Sequence, residues 1–333
     1  MDEKFLLATD RFAPPNATSK KAIAQTTKQV ASSIPKRMKL ISNPSGLRLL
    51  MIWRTDSLFY TPERKRLADE WNQVRFTSEV LPERPNLMNH SLDQPLSLPD
   101  ESFDAIYGFH VMEHMNPTAN ERFIHDVYRL LKPGGIYRAS TPNLEFLATE
   151  YLQRLREQLA SASIENHARY RWAVCNLIDQ CVREEPGGQM LEAIRRGEFT
   201  KEYVKRLNGD SFDFLFQPAQ GANPSGSGPS AVDSQRKPMT FLRKIAQAIR
   251  GRLRLGSPRN SFFELSHERN LWMWDRLSLG RLFSEAGFRN VAVVDYRTSS
   301  IPGWSRYNFD QSVYGDYPLE PSLFMEGSKS AAA

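Results

Sequence analysis

The chain has 333 residues, with 44 Lys+Arg against 38 Asp+Glu for a formal net charge of +6, and two cysteines. That length suits one elaborated α/β domain, and the mild basic excess is mostly dispersed. Cys175 and Cys181 lie in a stretch that reads as helical, where their spacing turns them to different faces, so no disulfide framework is expected and a reducing, cytoplasmic setting is the default expectation.

Along the chain, residues 1–45 are polar and interrupted by Pro14, Pro15, Pro35 and Pro44, which predicts a loosely ordered arm with one short helix near 21–32. The opening MDEKFLLATDRFAPP places acidic residues before a very short apolar run, so no secretory leader is expected; no window reaches the roughly 18 apolar residues of a membrane span. LRLLMIW (47–53) is a continuous apolar run of strand length, as in a strand buried on both faces of a parallel sheet. TPERKRLADEW places a proline at the first helical position and predicts a helix over 62–73. VRFTSEV (74–80) and NLMNHSL (86–92) read as short strands. FDAIYGFHV (103–111) is the next strand, ANERFIHDVYRLL (119–131) an amphipathic helix, KPGG (132–135) a positive-φ turn, and IYRAST (136–141) another strand. Strands alternating with helices imply crossover connections and a doubly wound, mostly parallel sheet.

Residues 144–206 read as helical with a break at EPGG (185–188), and 218–235 are Gly/Ser/Pro-rich like a flexible linker. RKPMTFLRKIAQAIRGRLRLGSPR (236–259) carries Phe241, Ile245, Ile249 and Leu253 in a row flanked by Arg243, Lys244, Arg250 and Arg254. That pattern suits a helix lying on an anionic membrane surface, and equally a packed helix with a solvated basic face; it lacks the interleaved aromatics of a nucleic-acid reader. The sheet resumes with SLGRLFSEAGF (278–288) as helix, NVAVVDY (290–296) as strand and PSLFMEG (321–327) as a last strand. The expected organisation is therefore an arm over 1–45, an α/β domain over 46–150 and 262–327, a helical insertion over 151–217, and a linker with the basic helix over 218–261.

LSLPDESFDAIYGFHVMEHM followed by a helix, RLLKPGG and STPN resembles the class I S-adenosylmethionine-dependent methyltransferases. WMWDRLSLGRLFSEAGFRNVAVVDY, IPGW and SLFMEG resemble segments of the methyltransferases found among bacterial cell-surface glycan enzymes. Together the likeness covers about 85–150 and 265–327. It implies a Rossmann-like fold, S-adenosylmethionine as cofactor, and methyl transfer to an oxygen acceptor such as a sugar hydroxyl of a glycan or lipid-linked glycan. The protein would be cytoplasmic, with the inner membrane face as a further partner of 236–259. The insertion would cover the acceptor side as a lid.

In an open α/β sheet the ligand sits beyond the carboxyl ends of the strands, which places Phe109 and His110 beside the cofactor. His110, Glu113 and His114 are the catalytic candidates, a histidine serving as base on the acceptor hydroxyl because its pKa lies near neutrality. Their order is H-x-x-E-H and no helix precedes it, so no metal is expected; bracing of the following helix is the competing role. After the first strand the sequence is Arg54-Thr55-Asp56-Ser57-Leu58, with no glycine where the family has a glycine-rich turn. Arg54 and Asp56 stand there as cofactor candidates, Glu79 takes the position of the family's ribose-binding acid, and Ser91 and Leu92 lie where it contacts adenine. The altered turn would also suit a cofactor-free, methyltransferase-like scaffold or regulatory subunit of a partner enzyme. A second register, with 38–42 as first strand and 43–46 as turn, fits the following helix less well.

Overall fold

A computed structural model describes residues 38–54, 62–76, 85–91, 94–210, 212, 216, 269–312 and 314–331. The chain divides into Met1–Lys39 and Leu40–Ala333, and the sheet lies wholly in the second unit. The short helix near 21–32, the linker over 218–235 and the basic helix over 236–259 lie outside the described residues. Among the described residues no helix is long and apolar enough to cross a membrane.

The strands are β1 (Leu49–Trp53), β2 (Asn72–Phe76), β3 (Leu87–His90), β4 (Phe103–Phe109), β5 (Leu131–Pro142), β6 (Arg289–Val294) and β7 (Ser322–Ser328). They form one sheet in the order β3-β2-β1-β4-β5-β7-β6. The pairs β3/β2, β2/β1, β1/β4 and β4/β5 are parallel, whereas β7 runs antiparallel to both β5 and β6. The sheet is thus doubly wound and mostly parallel, with its order reversing between β1 and β4. All five residues of β1 are buried, which is why that strand reads as an uninterrupted apolar run.

Helix α1 spans Pro62–Ala68, shorter than the expected 62–73. Tertiary contacts override its propensity. Trp71 is wholly buried, and the Asn72 amide donates to the carbonyls of Ile41 and Leu49 at 2.9 and 3.0 Å, so the chain has already entered β2. The end of the expected arm is likewise fixed: the Asn43 carboxamide oxygen accepts from the amides of Ser45 and Leu47, while its nitrogen donates to the Tyr307 hydroxyl. Helix α2 (Pro117–Leu130) is capped by Asn116, whose side chain accepts from the Ala119 amide. Neither Glu113 nor His114 caps it. The KPGG turn bulges from the beginning of β5, with Gly134 at φ 79°, a conformation glycine adopts without strain.

After β5 the chain forms α3 (Leu144–Ala160), α4 (Ile164–Val174), a π turn at Cys175–Asp179 and one more turn at Gln180–Val182. Helices α5 (Gly188–Arg195) and α6 (Lys201–Asn208) follow the expected break. This insertion has its own core of Trp172, Met190, Ala193, Phe199 and Val204. It is fastened at Asp210, which pairs with Lys205, accepts from the Ser312 hydroxyl, and donates its amide to the Leu319 carbonyl. Gly209 permits this approach: at φ 78°, a Cβ there would collide with the Leu319 backbone. Both cysteines are free thiols.

Helix α7 (Arg276–Glu285) starts at a capping box made by Asp275 and Ser278. It covers one sheet face through Phe283, which stacks on Tyr137. The other face is covered by α1 and by the segment 295–320 with its short helix α8 (Trp304–Tyr307), burying Trp71, Tyr107, Trp304, Tyr307 and Phe309 against one another.

Candidate active site

The sheet's order reverses where the carboxyl ends of β1 and β4 lie side by side, with Trp53 opposite Phe109. Backbone at such a point parts in two directions and leaves a crevice beyond the strands. Arg54 follows β1 there and His110 follows β4. His110 has φ 46°, in the left-handed region that a side chain enters at a cost, and its amide donates to the Ser140 carbonyl. This turn takes the imidazole out of the strand's alternation at the carboxyl end of β4.

Both ring nitrogens have polar partners. Nδ1 lies 3.0 Å from Glu113 Oε1, and Nε2 lies 2.8 Å from Ser322 Oγ and 3.6 Å from Glu320 Oε2. Glu113 sits on a single 3₁₀ turn, Met112–His114, and is itself buried. Burial alone would lower the His110 pKa, but Glu320 and Glu113, with Asp310 behind them, raise it from 6.5 to about 9. Burial also opposes the Glu113 carboxylate, and His110 outweighs it, so the Glu113 pKa is held below the usual carboxylate range. The pair is an internal ion pair at neutral pH.

His114 is the opposite case. Burial first, and then the charge of Arg54, depress its pKa to about 3, so it is neutral. Its Nδ1 lies 3.2 Å from the Arg269 carbonyl, which fixes that nitrogen as the donor. The Glu113 carbonyl accepts the amides of Leu271 and Trp272 at 2.7 and 3.1 Å, and the Asn270 amide donates to Gln180 in the insertion. His114 and Glu113 therefore hold a strap, 269–274, between the crevice and the insertion, and the strap continues to the end of β5 through the bridge of Trp274 with Asn143.

Of the sequence candidates, the structure brings His110, Glu113 and His114 together, with Arg54 close enough to His114 to act on its charge. Phe109 packs on the His110 ring at a centroid distance of 4.8 Å. Ser91 follows the carboxyl end of β3, two strands away from β1 in the sheet order. Asp56, Glu79 and Leu92 lie outside the described residues. Sequence reasoning missed Glu320 and Ser322, which reach the site from just before β7 and from its first residue. Among the described residues no group of three or more His, Cys, Asp or Glu side chains is arranged to hold a metal ion.

Behind the crevice lies a second buried charge cluster that the sequence did not mark. Arg138, on β5 and wholly buried, donates to Asp310 at 2.7 Å, to Glu326 at 2.8 Å and to the carbonyls of Asp295 and Thr298. The Tyr107 hydroxyl donates to the other Asp310 oxygen at 2.5 Å. Trp304 and Phe324 offer their ring faces to the guanidinium. This cluster ties 295–310 to the sheet and so fixes the approach to Glu320 and Ser322.

Residues 53–139 match the family described as "Methyltransferase domain". A stretch of 48 residues is 44% identical to a "Probable S-adenosylmethionine-dependent methyltransferase" of Mycolicibacterium smegmatis; it covers 14% of this chain and only 18% of that relative's length. Solved structures with a similar course include a putative methyltransferase in complex with the Haloferax volcanii Trm112 methyltransferase activator, at 9% identity and TM-score 0.34, covering 94% of this chain and 95% of that one. Another is a SAM-dependent methyltransferase from Archaeoglobus fulgidus, at 10% identity and TM-score 0.34, covering 93% and 94%. S-Adenosylmethionine carries an amino-acid end with a carboxylate, a group that a guanidinium pairs with well, and Arg54, half-buried, directly follows β1. The sheet order, with its switch point between β1 and β4, gives the fold, and within it residues 53–139 match the methyltransferase-domain family.

Proposed function

We propose that the chain transfers the methyl group of S-adenosylmethionine to an oxygen acceptor, a sugar hydroxyl of a glycan or lipid-linked glycan. The observation that carries this reading is the imidazole of His110, at the carboxyl end of β4 and paired through Nδ1 with a buried carboxylate. A carboxylate on Nδ1 fixes the tautomer and leaves Nε2 to take a proton. The glycan acceptor is supported by the likeness of 272–304 and 322–327 to methyltransferases of cell-surface glycan synthesis.

The bound cofactor supplies an electrophilic methyl group. The chain's own work is to hold Arg54 against the cofactor's carboxylate, to align the acceptor oxygen, and to accept its proton. Alignment supplies much of the rate, since a bound near-attack geometry removes most of the entropic cost of a bimolecular step. In this reading Phe109 forms part of the cofactor wall, His114 and Glu113 keep the strap and the His110 ring in place, and the insertion forms a lid on the acceptor side.

Labelled methyl transfer to glycoside acceptors, followed across pH, tests the assignment. His110 accepts a proton only when neutral, so turnover should rise with pH and level off near the raised pKa of about 9. His110→Gln should lower turnover by about 10²–10⁴-fold while leaving S-adenosylhomocysteine affinity nearly intact. A variant that turns over like the wild type would remove His110 from the chemistry.

A further inference from the structure

Both ring nitrogens of His110 are already engaged, Nδ1 by Glu113 and Nε2 by Ser322. An acceptor hydroxyl therefore meets the outer member of the chain first. Ser322 opens β7 opposite Pro142, and its amide is tied to the Glu320 carbonyl at 2.8 Å, so its backbone is fixed on both sides. Ser322, like His110, is only partly buried, the His110 side chain being 12% exposed. A hydroxyl both donates and accepts, so it can pass a proton inward without holding a charge. Glu113, His110 and Ser322 thus have the carboxylate–imidazole–hydroxyl order that activates an oxygen in hydrolases, but the partner that needs activating here is the acceptor's own hydroxyl.

We propose that Ser322 is a catalytic relay, accepting the proton of the acceptor hydroxyl as its own proton passes to His110 Nε2. This rests on the methyl-transfer reading above. As the new carbon–oxygen bond forms and the methyl–sulfur bond breaks, the acceptor proton moves to Ser322 Oγ and the serine proton to Nε2. Atoms and charge balance: the cofactor loses one positive charge, and the imidazole gains one beside Glu113. Among the described residues, the charged and titratable groups that act on the ring include Glu113 and His114 on the 3₁₀ turn, Glu320 ahead of β7, and Asp310 from the 295–310 segment. Glu320 stands 3.6 Å from the same nitrogen and favours its protonated form, whereas Ser322 acts through contact.

The full chain, its Ser322→Ala and Ser322→Thr variants, and a Glu320→Gln variant separate these roles. With methyl β-glucoside as probe acceptor, Ser322→Ala should lower kcat by about 10²-fold with KM little changed, and Ser322→Thr, which keeps the hydroxyl, should recover most of it. Glu320→Gln should instead move the pH limb of turnover downward. Nitrogen spectra of histidine-labelled, unliganded protein should show the His110 Nε2 resonance displaced in Ser322→Ala, restored in Ser322→Thr, and Nδ1 unmoved. Equal kcat in Ser322→Ala and wild type, or an Nε2 resonance that is the same in both, overturns the relay. A wild type that binds no S-adenosylhomocysteine overturns the functional reading itself, and the relay with it. If the wild type binds but does not methylate this probe, the spectra decide.

Discussion

Asp310→Ala is expected to destabilise the fold by about 3–5 kcal/mol, because it strands the buried Arg138 guanidinium with half of its charge partners gone. Asp310 is wholly buried, and burial raises its pKa against the attraction of Arg138 and the Tyr107 hydroxyl, so its charge is held at a cost. Burial also works against the Arg138 charge, and Asp310 and Glu326 more than restore it. A buried pair of this kind stabilises little relative to apolar residues of the same shape, but its partial removal leaves an uncompensated ion. The double variant Arg138→Met/Asp310→Leu should accordingly recover much of what Asp310→Ala loses. Urea midpoints read both. If Asp310→Ala unfolds at the wild-type midpoint, the ionic tie between β5 and the 295–310 segment is not what holds that segment.

Stability should pass through a maximum near pH 6.5, set by two histidines with opposite shifts. His110 has a folded pKa raised to about 9, so its contribution is fully present below 6.5 and is lost as pH rises through 9. A shift of that size corresponds to about 3 kcal/mol, shared with its partner Glu113. His114 has a folded pKa depressed to about 3, so below 6.5 the unfolded chain takes up a proton that the folded one refuses, and stability falls toward acid. The lowered pKa of Glu113 adds to the acid loss. Denaturation midpoints measured from acid to alkali should trace this dome, His110→Gln should flatten its alkaline limb, and His114→Gln its acid limb. A midpoint that stays level between pH 6.5 and 9 would show that the His110–Glu113 pair carries no such charge.

The parts of the fold that were legible in the sequence are those written in local pattern. The apolar run of β1, the strand at 103–109 and the helix at 117–130 ahead of KPGG each announce themselves, and their alternation gives the doubly wound sheet. The helix beginning at Pro62 was placed correctly and ended too late, since propensity does not reveal that Trp71 is needed in the core and Asn72 at a strand start. His110 and Glu113 were legible because a polar cluster closes a buried strand. Ser322 and Glu320 were not: Ser322 meets His110 across 212 positions, and a serine at a strand start has no mark of its own. Arg138 looks like an ordinary strand arginine until Asp310, 172 positions on, is folded over it.

The most direct test of the methyltransferase account is calorimetric titration of the full chain with S-adenosylhomocysteine. The account predicts saturable binding of one ligand per chain, weakened by about 1.5–3 kcal/mol in Arg54→Gln, the value of a charge-assisted hydrogen bond to the ligand's carboxylate. Absence of any binding heat at millimolar ligand, in protein shown to be folded, would contradict it and leave a methyltransferase-like scaffold in its place.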